Sequence, residues 1–288
     1  MAESFSHKWG QIIGNLIQEF IGETLQILAN EHNLYLDYQK KRKARISKKV
    51  SWQDRYGNFH DLDYVLERGG TEDIRGLPAV FIETAWRRYT KHSRNKAQEI
   101  EGALLPLAET YSHLNPFLGV ILAGIFTQAS LEQLDSKGFK VLYLKYEKIV
   151  QAFAVIGIDA SFDEKTPEEE FKHKIAQWKN LSTDNIINIK NQLIQLEKDN
   201  IDNFIITIER SLARRIEGVS IIILHGQIQI INSIEKAIEY VQNYQDNQAT
   251  SAPALRYEVD IRYNNSDIIH AIFQSKVEAI AFLRTFAS

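Results

Sequence analysis

The stretch "DLDYVLERGGTEDIRGLPAVFIETAWRRYTKHSRNKAQEI", residues 61–100, contains two short apolar runs that each carry an acid at one end. Asp63 comes directly before Tyr-Val-Leu, and Glu83 comes directly after Ala-Val-Phe-Ile. Short apolar runs bounded by turn residues predict buried β-strands. Magnesium prefers hard oxygen ligands such as carboxylates. The stretch therefore predicts a metal site at Asp63 and Glu83, on two strands of one sheet.

The chain on either side of this stretch predicts a mixed central sheet flanked by helices. Residues 9–30 carry apolar side chains at helical spacing, and residues 55–58 have the composition of a hairpin turn. A helix is predicted to open near Ser93. The almost unbroken apolar run at residues 115–126 is typical of a central strand covered on both faces. With a further helix, strand and helix, residues 1–162 predict an α/β core.

The rest of the chain differs in character. Residues 163–215 are rich in Asn, Gln and Ile and predict a helical region of one long helix or two. Residues 216–288 contain a weak repeat, in which "SIEKAIEYVQNY" and "SKVEAIAFLRTF" each follow two strand-like runs. The prediction is a subdomain of two β-β-α units, with turns centred on His225-Gly226 and Asn264-Asn265. Such a pair would serve a dimer interface or ligand recognition, and the sequence leaves both open.

Composition excludes several classes of site. The 288 residues include no cysteine, which excludes disulfide frameworks and thiolate metal sites, and the eight histidines show no ligand spacing. Glycine-rich phosphate loops, nucleophile elbows and dinucleotide fingerprints do not occur. The N-terminus lacks a signal-peptide pattern, and no apolar run reaches ~18 residues, so we expect a cytoplasmic protein without a membrane span.

Positive charge is clustered although the net charge is −3. Residues 40–49 contain seven cations, and a second cluster occupies residues 87–96. Basic clusters beside a carboxylate pair indicate phosphate binding at one place, whereas the alternative is a solvated surface. The predicted DNA contacts are Lys40, Lys41, Arg42, Lys43, Arg45, Arg87, Arg88 and Arg94.

"HDLDYVLE" and "AVFIETA", with the order of elements over residues 9–160, resemble the PD-(D/E)XK nuclease superfamily, which includes many type II restriction endonucleases. The resemblance implies a Mg²⁺-dependent DNA endonuclease, with Mn²⁺ as a possible substitute, that acts as a homodimer. It implies that Asp63, with Asp61 as the rival, and Glu83 hold the metal. A first-helix acid would assist, and Glu23 is the better candidate because it lies inside the edge of the apolar arc of that helix.

One position departs from the pattern of this superfamily. Its Glu-x-Lys motif would place a lysine at position 85, where this chain has Ala85. The lysine role is predicted to have moved to Lys96 or Lys91, and Arg87 would only stabilise charge. The alternative is a catalytically inactive DNA-binding or assembly protein on a decayed nuclease fold. A weaker possibility is a protein-interaction role for the Asn/Gln-rich helices and the terminal repeat.

Overall fold

A computed structural model describes residues 4–90, 93–213, 215–223, 228–244, 256–264 and 267–287. The chain forms two compact units, Met1–Ile208 and Glu209–Ser288. The first unit has a five-stranded mixed sheet flanked by helices, which confirms the predicted α/β class. Within the described residues, no helix has both the length and the apolar character that crossing a membrane requires.

The first unit carries its helices and strands in an order close to the predicted one. The sheet has the order β1-β4-β5-β6-β7, and β2 and β3 form a separate hairpin. β1, β4 and β5 are antiparallel neighbours, whereas β5, β6 and β7 run parallel. The elements are α1 (Phe5–Glu31), β1 (Leu34–Tyr38), β2 (Val50–Gln53), β3 (Phe59–Leu62), β4 (Tyr64–Arg68), β5 (Leu77–Arg87), α2 (Ser93–Thr110), β6 (Phe117–Gly124), α3 (Gln128–Ser136), β7 (Lys140–Lys145), α4 (Tyr146–Ala154), α5 (Glu168–Lys179), α6 (Thr183–Leu196) and α7 (Lys198–Leu212).

The central strand β5 is covered on both faces, which explains its continuous apolar sequence. Side chains of a strand alternate between the two faces of the sheet. Phe81 and Ala85 join an apolar cluster with α2, including Ile100 and Leu104. On the other face, Trp86 packs against α1. Glu83 and Thr84 therefore point to opposite faces of one buried strand.

The segment from Val50 to Arg68 forms three strands, although its pattern predicted two. The Asp54 carboxylate accepts hydrogen bonds from the N–H groups of Tyr56 and Asn58, both at 2.9 Å, and fixes the predicted hairpin turn. β3 ends at Leu62, and β4 then enters the main sheet. One residue, Asp63, joins the two strands. The apolar pattern continues across this break, so periodicity alone does not show it.

The region after the core forms three helices, where the sequence predicted one or two. α5 ends at Asn180, and the Ser182 side chain then caps α6 by accepting a hydrogen bond from Asn185 N–H. α6 and α7 are separated by Glu197, which is buried and accepts hydrogen bonds from Lys145 N–H and Asn200. The first compact unit contains α5, α6 and most of α7.

The second unit repeats β-β-α twice, as the sequence predicted. Its antiparallel sheet has the order β11-β10-β8-β9. Serine residues cap both helices, and the repeated serine in the two sequence motifs reflects this role. The predicted turn residues His225, Gly226 and Asn265 lie outside the described residues. The elements are β8 (Ile216–Ile223), β9 (Gln229–Ile231), α8 (Ile234–Asn243), β10 (Tyr257–Tyr263), β11 (Ile268–Phe273) and α9 (Lys276–Arg284).

Candidate active site

Asp63 and Glu83 lie side by side on neighbouring strands. Tyr64 of β4 pairs with Ile82 of β5, so the next position along the antiparallel register places Asp63 opposite Glu83. One oxygen of Asp63 accepts hydrogen bonds from the Thr84 N–H at 2.8 Å and the Thr84 hydroxyl at 2.6 Å. The other accepts one from Gln18 Nε2 at 3.3 Å. These contacts hold the half-buried Asp63 carboxylate in one orientation.

Glu83 is the more buried member of the pair, with 8 % of its surface exposed. Burial, and to a lesser degree the neighbouring Asp63 carboxylate, raises the pKa of Glu83 to about 8, while Lys96 acts in the opposite direction. Lys96 Nζ lies 4.0 Å from Glu83 Oε2 and 3.5 Å from Glu99 Oε2. A cation at this position would offset the cost of ionising Glu83.

The structure brings Lys96 to the face of the sheet where the missing lysine would lie. Ala85 follows Glu83 by two residues, on the same face of β5, and its methyl group packs in the apolar cluster under α2. Lys96, in the first turn of α2, reaches back to Glu83 from above this cluster. The rival candidate, Lys91, lies outside the described residues.

Glu23 is engaged elsewhere, which corrects its assignment to the metal site. Its carboxylate accepts a hydrogen bond from Lys190 Nζ of α6 at 2.8 Å, and Glu19 lies 2.9 Å from the same ammonium group. The α1 residue that reaches Asp63 is Gln18. Glu23 lies five residues further along, about 140° around the helix from Gln18.

Gln18 and Thr84 contact Asp63 but were not among the predicted site residues. Gln18 lies on the exposed polar side of α1 together with residues such as Gln11, Asn15 and Glu19, so its sequence position does not distinguish it. Thr84 showed no signal, because its role depends on the register between β4 and β5.

The first basic cluster is partly structural, which corrects the DNA-contact assignment of Arg42 and Arg45. Arg42 is buried, and its guanidinium donates to both oxygens of Glu67 at 2.7 and 2.9 Å and lies 2.8 Å from Asp37. Arg45 also donates to Asp37. These two arginines tie the 40–49 segment to β1 and β4.

The lysines of the first cluster remain on the surface. Lys41 is exposed, and Lys43 pairs with the exposed Asp73 at 3.0 Å. Lys40 lies 3.6 Å from Glu72 and close to the rings of Tyr35 and Tyr38. Lys49 contacts Asp61, the rival metal ligand, at 2.6 Å and so lowers its pKa. Asp61 is therefore paired with a lysine, so Asp63 is the better candidate for the metal ligand.

The second basic cluster also contains both structural and exposed cations. The Arg88 guanidinium lies over the Tyr146 ring at 4.1 Å and donates to the carbonyl of Phe162, which corrects its prediction as a free phosphate contact. Arg87 is half-buried, with its guanidinium on the carbonyl of Trp86. Arg94 is exposed on the first turn of α2. Among the described cations of this cluster, Lys96 is thus the one that contacts Glu83, and Arg94 is exposed two residues before it.

Two cavities lie beside Asp63 and the residues that contact it. The larger, about 550 Å³, lies between α1 and the end of β5, and Gln18, Thr84 and Lys96 form part of its wall. The smaller, about 250 Å³, is lined by Asp63 together with Gln18, Glu19 and Tyr64. Gln18 lines both cavities and also contacts Asp63. Asp63 is therefore accessible from a groove along α1, whereas Glu83 lines neither cavity.

The ligand set suits magnesium better than zinc. The described ranges contain no group of three or more His, Cys, Asp or Glu side chains that could hold a metal ion. Magnesium is commonly held by one or two carboxylates while it keeps several waters. Asp63 and Glu83 are such a pair. A divalent cation beside them would offset the unfavourable ionisation of the buried Glu83.

Comparisons with known proteins give no family. No family model matches the chain, and no curated protein matches it. A solved structure titled "Crystal Structure of Protein of Unknown Function AF1548" is similar over 68 % of this chain and 98 % of its own, with 11 % sequence identity and a TM-score of 0.29. A similarity of this size carries no functional information.

Proposed function

We propose that the protein is a metal-dependent endodeoxyribonuclease of the PD-(D/E)XK type. The observation that carries this proposal is the triad of Asp63, Glu83 and Lys96 at one point of the main sheet, with Lys96 Nζ 4.0 Å from Glu83. The triad combines the two acids and the cation that phosphodiester hydrolysis requires. Exposed lysines and Arg94 would contact the phosphate backbone, so binding is expected to weaken steeply with salt.

Each residue has a role that follows from its contacts. Asp63 and Glu83 would hold Mg²⁺, or Mn²⁺ in its place, and the ion would neutralise developing charge and activate water. Thr84 and Gln18 keep the Asp63 carboxylate oriented. Lys96 would donate a hydrogen bond to the attacking water or to a phosphate oxygen. An ammonium group on a flexible stem suits this better than the fixed guanidinium of Arg87.

The direct test is cleavage of supercoiled plasmid and unmethylated phage DNA with Mg²⁺, Mn²⁺ or EDTA. Asp63→Asn and Glu83→Gln are expected to abolish metal-dependent cleavage, and Lys96→Met to reduce it by roughly 10²–10⁴-fold. Arg94→Met is the matched control on the same turn of α2 and should change DNA affinity more than the rate of cleavage. Cleavage that survives in Asp63→Asn and Glu83→Gln would refute the assignment.

The broader form of the proposal is a restriction-type enzyme that works in the cytoplasm. Cutting both strands of a duplex calls for two active sites, which a two-fold homodimer provides. Sedimentation of the protein with and without a short DNA duplex tests this. A monomer in both conditions would remove the homodimer from the proposal but leave the chemistry of the single site untouched.

The second candidate function is DNA binding without catalysis. It is favoured by Ala85, which fills the position of the motif lysine with a buried methyl group. It predicts that DNA shifts on a gel in EDTA as well as in Mg²⁺, and that every DNA remains intact with either metal. Metal-dependent fragments that disappear in Glu83→Gln would eliminate this candidate.

A further inference from the structure

The 550 Å³ cavity near Asp63 is lined by aromatic and amide side chains that phosphodiester hydrolysis does not require. Its wall includes the aromatic rings of Trp86 and Tyr89 and the amides of Gln11 and Asn15. Its size falls within the range of small-ligand pockets, ~300–1,000 Å³. Aromatic faces stack on nucleobases, and side-chain amides form hydrogen bonds with base edges. Amides can also bind a phosphate, but an aromatic face offers a phosphate no hydrogen bond, so the combination of rings and amides suits a base.

Trp86 lies close to glycines of α1 and β6. A Cβ atom added to Gly10 or Gly14 would make ordinary contact with Trp86, at 3.5 Å from Nε1 and 3.7 Å from Cβ, whereas one added to Gly124, which has a φ of +100°, would approach Cζ3 to 2.9 Å. The Tyr146 ring packs beside Trp86, with 6.2 Å between the ring centroids and a tilt of 36°. Trp86 is therefore half-buried, and the part of it that remains exposed lines the cavity.

The cavity adjoins the proposed site of chemistry through residues that contact the two carboxylates, although Asp63 and Glu83 do not line it themselves. Gln18 and Thr84, which both bond to Asp63, and Lys96, which faces Glu83, line it. A nucleotide whose phosphate lay at the two carboxylates would therefore have its base within the adjoining cavity. The base must be unpaired to enter, because a base pair inside a duplex offers no free face for stacking.

We infer that this cavity binds one unpaired nucleobase next to the scissile phosphate, with Trp86 as its stacking surface and Gln11 and Asn15 at its edge. The inference rests on the proposed function for the position of the phosphate. The substrate would then be DNA in which one nucleotide is unstacked, either because the DNA is single-stranded or because the nucleotide is flipped out of a duplex. Gln11, Asn15 and Trp86 act as binding residues.

The test measures binding to single-stranded oligonucleotides in EDTA, where cleavage does not interfere. The probes are a twelve-nucleotide thymidine oligomer and an abasic oligomer with the same number of phosphates. The thymidine oligomer is expected to bind roughly 5- to 100-fold more tightly, as one stacked base provides. Trp86→Leu should remove most of this difference, while Trp178→Leu, a half-buried tryptophan on α5, should retain it.

Tryptophan fluorescence gives a second measurement that does not require the Trp86→Leu variant to fold. Trp9 and Trp52 are buried, so in Trp178→Phe the accessible tryptophan is Trp86. The thymidine oligomer should quench its emission, and the abasic oligomer should not. Equal affinity for the two oligomers without quenching would overturn the inference and leave phosphate binding alone.

Failure of this inference and failure of the proposed function give different results. Metal-dependent plasmid cleavage together with equal binding of both oligomers would overturn the base pocket and retain the nuclease. Base-dependent binding and quenching without cleavage under any ion would retain the pocket and support the non-catalytic DNA-binding function.

Discussion

Glu83 places a carboxyl group at a buried position of the central strand, where ionisation is unfavourable. Burial and the neighbouring Asp63 raise the pKa of Glu83 from 4.5 to about 8. Between these two pH values the metal-free folded protein therefore holds a proton that the unfolded chain has released. The charged groups that act on the pKa of Glu83 are Asp63, Asp61 and Lys96.

A pH dependence of stability follows for the metal-free protein. Because the folded state holds more protons, the free energy of unfolding should fall as pH rises from about 4.5 to about 8. Glu83→Gln should flatten this decline. Urea denaturation in EDTA at several pH values measures it. The same slope in the wild type and in Glu83→Gln would contradict the assignment of the shift to Glu83.

Gln18 occupies a position from which a third carboxylate would meet Asp63. Gln18→Glu should lower the melting temperature in EDTA, because like charges would lie about 3 Å apart. It should also enlarge the increase in melting temperature on adding Mg²⁺, since binding to the folded state stabilises it by mass action. Gln11→Glu, on the same face of α1, is the control. Equal Mg²⁺ effects in Gln18→Glu and wild type would show that no cation binds beside Asp63.

At the scale of elements, the segment of residues 40–49 is a structural connection that contains two buried arginines. Arg42→Met should lower the free energy of unfolding by about 3–5 kcal/mol, because it leaves Glu67 buried without its ionic partner. Lys43→Met, whose side chain is exposed, should change it by less than about 0.5 kcal/mol. Chemical denaturation of the two variants measures both values. A mild effect of Arg42→Met on stability with a large loss of DNA binding would restore the original assignment.

The sequence predicted most elements where one hydrophobic period continued without interruption. α1, the β5 strand, α2 and the two β-β-α units follow from periodicity and capping residues. β1, the break at Asp63 and the division into α5, α6 and α7 did not follow. β1, the break at Asp63 and the end of α6 involve contacts between distant segments, such as the bond from Lys145 N–H to Glu197. The boundary between α5 and α6 is local, since Ser182 caps α6 through Asn185 N–H.

The candidate site was predictable in part for the same reason. The sequence predicted that Asp63, Glu83 and Lys96 lie near one another, because a strand end and a first helical turn are local features, and Lys96 Nζ does lie 4.0 Å from Glu83. The assignment of Glu23 to the metal site was wrong. The apolar arc of α1 shows which edge of the helix is buried, but it does not show that the partner of Glu23 there is Lys190, 167 residues away. Arg42 looked like a surface cation because its buried partners, Asp37 and Glu67, are not adjacent in sequence.

At the scale of the whole molecule, two compact units each contain their own apolar cluster. A domain with its own core is expected to fold alone. A fragment of residues 1–213, which keeps α7 complete, should therefore unfold cooperatively and retain the metal response of Asp63 and Glu83. Circular dichroism and thermal unfolding with and without Mg²⁺ test this. A fragment that lacks a cooperative transition would show that the C-terminal unit is required for folding.

The single-residue junction between β3 and β4 makes the β2–β3 hairpin and the Asp63 carboxylate one mechanical part. The hairpin is itself anchored, because Val50, Trp52 and Leu62 belong to the apolar cluster under α2 and Arg55 pairs with Glu109 of α2. The backbone of Asp63 is therefore clamped from both sides, by this hairpin before it and by the pairing of β4 with β5 after it. A cavity opened under the hairpin, for example by Trp52→Ala, should thus loosen the carboxylate from a distance although Trp52 does not touch it.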